Sequence, residues 1–548
     1  MLKGVKHNKH FLPYKLLTMG IPSYFSYIIK NHSNIIRDLH YHQNVVKTAF
    51  GYLYMDCNSI IYDAFRIIEK NYVHSDVSIE TKIIQAVIDS IHKYIVMIKP
   101  SICVYIAFDG VAPFAKMEQQ RTRRYKSQFM SKISFSVSSE TTCTPIWNTA
   151  AITPGTAFMK QLTSEIEREF EHAAGKYGCK KILVSGSNQA GEGEHKMYEH
   201  CRRYVKIGDN VAVYGLDSDL IMLSIFHLQY CRNVYIFREA PAFGNLTKKS
   251  DNMPLFLNIH ELSKSITNEM GCSYTDSRRV HDYVFLCFFL GNDFLPHFPA
   301  LNIRTHGIQS LLDSYREVFG NKQQFLIEDG KIMWNNLRIL ITVLAKCEHT
   351  WLIEEYKMRK KWEKHYWSQK TDAEREQHFM SAPVIFRAEE QYICPSEVFW
   401  EKRYYKTLFH DNDNIEKISI NYLEGLEWVY KYYTSGCPDW KWKYNYHYPP
   451  LFVDLVKHIP YEECDLICHN ENQAFMPNTQ LAYVLPPEQF TLLSTETKDY
   501  LLQHYPSYYN QSMQFQWAFC RYFWEAHSIN LGMDLCILEN IDGVFSKK

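Results

Sequence analysis

Val211-Ala212-Val213-Tyr214-Gly215-Leu216-Asp217-Ser218-Asp219-Leu220-Ile221-Met222-Leu223 runs from β-branched apolar residues into two carboxylates and straight back into apolar residues. Val211 to Tyr214 reads as a strand and Asp219 to Phe226 as a helix. A strand that passes into a helix through a short turn is the repeating unit of a parallel α/β sheet. The unit recurs upstream. Tyr52 to Met55 predicts a strand ending at Asp56, with helical periodicity from Asn58 to Glu69. Ile102 to Phe108 predicts a strand ending at Asp109, after a helix over 77–98 that Pro100 stops. Lys181 to Val184 predicts a strand, and Gly191-Glu192-Gly193-Glu194-His195-Lys196 opens a helix reaching Tyr204. Further helices are expected over 21–29, 156–177 and 281–290, and a strand over 234–237. The expected fold is α/β, with a mainly parallel central sheet flanked by helices.

The carboxylates fall where such a sheet keeps its site, outside the carboxyl ends of the strands. Asp56, Asp109 and Asp217 sit at strand ends, and Glu192 and Glu194 open a helix, whose dipole tolerates anions. Asp219 and Asp293, the latter in Gly291-Asn292-Asp293-Phe294, bring the set to seven. Singly, each reads as well as a helix cap or an acidic first turn. In combination they read as ligands for hard cations, Mg²⁺ or Mn²⁺, which take oxygen donors and bridge to phosphate. Two such ions clamp the attacking and leaving oxygens of a phosphodiester displacement.

A basic row follows Asp109. Lys116, Gln120, Arg123 and Arg124 share one helix face at i, i+4, i+7 and i+8. That face reads either as solvated or as a pocket for a terminal phosphate, whose oxygens match the arginine fork. An aromatic stretch lies later, from Trp428, Tyr430, Tyr432 and Tyr433 to Trp440-Lys441-Trp442-Lys443-Tyr444. Most of these rings are expected in the core, with a base-stacking wall as the alternative.

The 548 residues, 46% of them hydrophobic, suffice for a large core and two domains. Formal net charge is zero, so any nucleic-acid contact has to come from local patches. The 15 cysteines are scattered, as expected of reduced thiols, and Cys464, Cys468 and His469 lie close together without the second ligand pair that a zinc site would need. No membrane-spanning segment is expected. Lys357-Met358-Arg359-Lys360-Lys361 reads as a solvated helix face.

Assembled, these motifs resemble the XRN family of 5′→3′ exoribonucleases. The resemblance begins at Met19-Gly20-Ile21-Pro22-Ser23-Tyr24-Phe25 and takes in Phe108 to Pro113, Lys116 to Arg124, Gly191 to Lys196, Tyr214 to Leu223 and Phe285 to His297. A second region is similar over Arg403 to Lys406, Trp440 to Pro450 and Gln480 to Pro487. The family's fold is PIN/flap-nuclease-like, with an additional mostly helical, aromatic-rich region. The expected organisation is an extension over 1–18, a nuclease domain over 19–315, a helical connection over 316–398, the second region over 399–487 and a divergent segment over 488–548.

The resemblance implies two ions, Mg²⁺ or Mn²⁺, held by Asp56, Asp109, Glu192, Glu194, Asp217, Asp219 and Asp293. It implies a 5′-phosphate pocket of Lys116, Gln120, Arg123 and Arg124, with Pro113 at the entrance. The first base would stack between Tyr62, where the family has histidine, and Trp440, with Trp442 as the neighbouring candidate. The implied activity is processive 5′→3′ hydrolysis of decapped, 5′-monophosphorylated single-stranded RNA, in a cytoplasmic monomer acting in mRNA decay beside decapping factors. The short chain leads us to expect a viral or protist source. A DNA flap nuclease and a non-catalytic RNA-binding scaffold are the alternatives.

Overall fold

A computed structural model describes residues 24–32, 35–39, 41–71, 77–137, 146–215, 217–239, 254–274, 276–409, 414–468, 472–529 and 532–547. The expected extension over 1–18, the 19–23 motif, Leu216 and His469 lie outside these residues. Seven strands form the main sheet: β1 Ile36–Asp38, β2 Tyr52–Asp56, β3 Cys103–Ala107, β4 Lys181–Ser185, β5 Asn210–Tyr214, β6 Asn233–Arg238 and β7 Leu255–Asn258. Their order is β1-β7-β6-β5-β2-β3-β4. The five strands from β6 to β4 are parallel, and β7 and β1 add an antiparallel edge. The α/β fold read from the repeating units is therefore present.

Alternation along the strands splits the core into two layers. On β2, Tyr52 and Tyr54 face one layer, and Leu53 and Met55 face the other. On β5, Val211 and Val213 oppose Ala212 and Tyr214 in the same way. Both faces are covered, which is why these strands are apolar throughout. The second layer is built by helices Asn58–Lys70, Ile79–Ile98 and Ala157–Phe170. The first is built by Gly193–Tyr204, Asp219–His227 and Arg279–Cys287. It continues without interruption into the helical half of the chain through Trp334–Glu363 and Ile415–Thr434. No helix among the described residues is long and apolar enough to cross a membrane. All cysteines among them are free thiols.

Three expectations need correction. The helix expected over 156–177 is two, Ala157–Phe170 and Ala174–Tyr177, because the chain turns at 171–173. The helix expected over 281–290 ends at Cys287 and closes with a tight turn, Phe288–Leu290. The run at 357–361 is not wholly solvated, since Arg359 is completely buried.

The Arg359 guanidinium donates to both oxygens of Glu390 and to the Cys520 carbonyl, 2.8 Å away. Arg387 Nε donates to the same carboxylate at 2.7 Å, and the Phe519 amide does so at 2.9 Å. One buried anion thus joins three segments of the helical half. Burial pushes the Glu390 carboxyl up, but Arg359 and Arg387 outweigh it and hold it below its ordinary value of 4.5. A depressed carboxyl stabilises the fold above its unfolded value, and the contribution is lost as pH falls through the folded one. Glu390→Gln should cost about 3–5 kcal/mol at neutral pH, because buried Arg359 loses its charged partner and Arg387 keeps only Glu363. In urea melts, that difference should shrink as the pH drops below 4.5.

Candidate active site

Five segments deliver the acids to one corner at the carboxyl end of the sheet. Asp56 is the last residue of β2, and Asp109 follows β3 by two residues. Asp217 lies between β5 and the Asp219–His227 helix, where Asp219 is the first residue. Glu192 caps the Gly193–Tyr204 helix, and Glu194 lies in its first turn. Asp293 stands on the loop after the Phe288–Leu290 turn. The structure brings these loops together. Oxygens of Asp56, Glu194 and Asp217 all lie within 4.8 Å of one another.

Backbone pairing fixes the loops. Gly110 N donates to Gly191 O and Gly191 N to Val111 O, both at 2.8 Å. Asp109 is oriented by Gly193 N, 2.7 Å from its Oδ1, and by the Asn58 side-chain amide on Oδ2. Asn58 Oδ1 in turn accepts the Asp109 amide at 3.1 Å. Gly193 is required by space: a Cβ there would stand 2.9 Å from Asp56 Oδ1. Lys196 donates to the carbonyls of Gly186 and Gln189, tying down the loop that leads to Glu192.

The charge is out of balance. Burial, then mutual repulsion, pushes the carboxyls of Asp56, Glu194 and Asp219 well above the usual carboxylate range. Burial raises Asp217 to about 6, with Lys116 pulling the other way. Lys116 is the cation inside the cluster, its ammonium 2.5 Å from Glu192 and 2.6 Å from Asp293. Asp219 Oδ1 is buried and accepts no hydrogen bond. A set of hard oxygen donors in excess of its countercharge fits a divalent cation of the Mg²⁺ or Mn²⁺ kind.

The basic row lies on the Phe114–Val137 helix, which starts beside the acids. Lys116 belongs to the carboxylate cluster, so the row runs outward from it. Gln120 is buried and accepts from Gln480 Nε2 at 3.1 Å, while Gln480 Oε1 holds the Ala112 amide. Arg124 donates to Thr153, but its Nε is buried without a partner. Burial lowers the Arg124 guanidinium to about 10, with Tyr62 near enough to oppose that shift. Arg123 lines a cavity that also reaches Asp293.

Pro113 is buried, and its carbonyl accepts the amides of Lys116 and Met117, so it starts this helix. Trp440 is half-buried and its carbonyl accepts the Phe114 amide at 2.9 Å. Its ring edge lies 3.9 Å from where a Cβ on Gly191 would stand. Tyr62, on the Asn58–Lys70 helix, is half-buried against the second core layer. Trp442 belongs to the core instead: it stacks on Trp428 at 5.3 Å and donates to Glu424.

The sequence places Tyr432 in the aromatic stretch, as core or stacking wall, and gives no sign of its role beside Glu192. Its hydroxyl donates to Glu192 Oε2 at 2.7 Å across 240 positions, and its ring stacks on His195 with centroids 3.6 Å apart. Nothing in that stretch separates Tyr432 from its aromatic neighbours as the residue that reaches an acid. Asn58 was legible only as the start of the helix that follows Asp56.

The chain matches the family model of the XRN 5′-3′ exonuclease N-terminus over residues 19–240. It matches the Xrn1 helical domain over 273–397 and 395–518. The protein therefore belongs to the XRN family. It is similar to 5′-3′ exoribonuclease 2 of Arabidopsis thaliana, with 24% identity over 93% of this chain and 66% of that protein. It is also similar to 5′-3′ exoribonuclease 1 of Saccharomyces cerevisiae, with 26% identity over 87% of this chain and 40% of that protein. The chain thus spans less than two thirds of the length of these two relatives. The solved catalytic core of Rad2 in complex with DNA substrate is a distant likeness, with a TM-score of 0.31 and 12% identity over 80% of this chain and 94% of that one.

Tyr432→Phe removes the hydroxyl that orients Glu192 and leaves the ring stack in place. Titration with Mn²⁺ should show cation affinity about ten-fold weaker, as for other groups that position ligands. Gly193→Ala should weaken binding further, by displacing Asp56 Oδ1. Circular dichroism should remain that of the parent in both variants.

Proposed function

We propose that this protein is a metal-dependent 5′→3′ exoribonuclease that removes nucleoside 5′-monophosphates from RNA bearing a 5′-monophosphate. The observation that carries the reading is the Phe114–Val137 helix, which bears a cation for the carboxylate cluster at Lys116 and a guanidinium with an unpartnered buried Nε at Arg124. Anion binding and carboxylate chemistry are therefore adjacent on one rigid element.

In this reading Asp56, Glu194 and Asp217 hold one Mg²⁺ or Mn²⁺, and Asp109, Glu192, Asp219 and Asp293 complete a set for two ions. Bound there, such ions activate water as the nucleophile and offset charge on the leaving oxygen. The chain's own groups do the rest. Lys116 keeps Glu192 and Asp293 in place as a fixed countercharge. Gln120, Arg123 and Arg124 hold the terminal phosphate, and their confined position excludes a cap. Tyr62 and Trp440 stack the first base, and Pro113 borders the entrance. Each cut leaves a new 5′-monophosphate end, which suits repeated hydrolysis along one strand. A cytoplasmic monomer acting on decapped mRNA beside decapping factors follows from the same reading.

The test is a digestion in Mg²⁺ of one RNA carrying either a 5′-monophosphate or a cap. Only the monophosphate form should disappear, as mononucleotides from the 5′ side, and chelation of the metal should stop it. Equal loss of both forms, or internal fragments, would refute the reading. Asp217→Ala should abolish cleavage and still bind RNA in a filter assay.

A further inference from the structure

The helix Pro477–Val484 packs on the Phe114–Val137 helix, and Gln480 on it is completely buried. Its side chain bridges two parts of the site. Gln480 Oε1 accepts the Ala112 amide at 3.0 Å, on the loop that follows Asp109. Gln480 Nε2 donates to Gln120 Oε1 at 3.1 Å, on the helix that carries the basic row.

The direction of this relay is fixed by chemistry. A backbone N–H can only donate, so the carbonyl end of the Gln480 amide has to face Ala112. That leaves its NH₂ end for Gln120, which has to answer with its own carbonyl. Gln120 therefore turns its Nε2 away from Gln480. Among the described residues that nitrogen donates to no other group, and it is not sealed from solvent. Gln120 keeps 7% of its surface exposed. It stands one helical turn from Lys116 and one from Arg124, on the same face. A donor held between two cations suits the acceptor-only oxygens of a phosphate. The two ends of a glutamine amide are alike in size, so without a partner for its carbonyl Gln120 could turn round. It would then offer the phosphate a carbonyl oxygen, which repels it.

We propose that Gln480 is a positioning residue for the 5′ end of the RNA, locking Gln120 with its amide donors toward the terminal phosphate. This rests on the reading above, in which Gln120 holds that phosphate. Docking of the two helices does not depend on Gln480. Arg121 donates to the Tyr483 carbonyl at 3.0 Å, the Tyr483 hydroxyl donates to Glu118, and Phe114 and Met117 pack with Leu481 and Tyr483. The direction of the Gln120 amide does depend on it.

The test is digestion in Mg²⁺ of one RNA carrying a 5′-monophosphate or a 5′-hydroxyl, by the parent, Gln480→Met, Gln120→Met and the double variant. The ratio of kcat/KM on the two RNAs is read, because it does not depend on the fraction of protein that is folded. Gln480→Met should lower the ratio about ten-fold, as for loss of a hydrogen bond to a charged group, with the loss in KM and not in kcat. The double variant should be no worse than Gln120→Met alone, because Gln480 acts through Gln120. Gln480→Glu keeps an acceptor for Ala112 but as a carboxylate cannot donate to Gln120. It should lower the ratio as well, and it takes the place of the methionine variant if that one does not fold. A ratio kept in the Gln480 variants, or losses that multiply in the double variant, overturns the positioning role and leaves the exonuclease reading standing. Equal loss on both RNAs also overturns it, by giving Gln480 a purely structural part. A parent that digests both RNAs alike refutes the phosphate-pocket reading itself, and this inference with it.

Discussion

Carboxylates crowded into a dry corner repel one another and lose hydration, and the architecture is arranged around that cost. The parallel sheet aims its strand ends at one corner, and acids on five separate segments converge there. Lys116 offsets part of the charge by donating to Glu192 and Asp293. The remainder calls for a hard cation. The same excess ties the acids to the helix that would bind phosphate, because that helix supplies the offsetting ammonium.

That helix cannot stay in place on apolar contacts alone, since its sequence is mostly polar. Later parts of the chain hold it. Arg121 donates to the Tyr483 carbonyl at 3.0 Å and lies over the Tyr125 ring, and Glu118 is paired with Lys443. Phe114 and Met117 pack with Leu538, Ile541 and Phe545 at one end, and Phe129 and Met130 pack with Phe523 and Ala526 at the other. Side chains from the last part of the chain, among them Phe523, Ala526, Leu538, Ile541 and Phe545, thus brace both ends of the helix. Tyr432 does the same for Glu192 from the helical half, through a ring stack that continues to Trp428 and Trp442.

Much of this order was readable along the chain, and the exceptions have identifiable causes. β1 and β7 were missed because strands of three and four residues carry too little alternation to register. The thirty-residue Trp334–Glu363 helix was obscured because its buried face includes Glu348, Glu355 and Arg359, which break an apolar stripe. Arg359 reads as solvent-facing until Glu390 is found opposite it. Trp442 and Trp440 are alike in composition and two positions apart. Packing made the first a core residue and left the second half-buried beside Gly191.

The α/β class, the strand-end acids and the helical row at Lys116, Gln120, Arg123 and Arg124 follow from periodicity and spacing within short windows, where side-chain direction is dictated by the local backbone. Which acids meet is not a local property. Asp56 and Asp217 converge because strand order places β5 beside β2, and Glu194 joins them because the Gly193–Tyr204 helix packs across β2 and β3. The burial of Lys116 among the acids, the grip of Tyr432 on Glu192 and the cavity beside Asp293 likewise arise from packing between distant segments. Such contacts leave no periodic trace, because they depend on where elements dock and not on how each one forms.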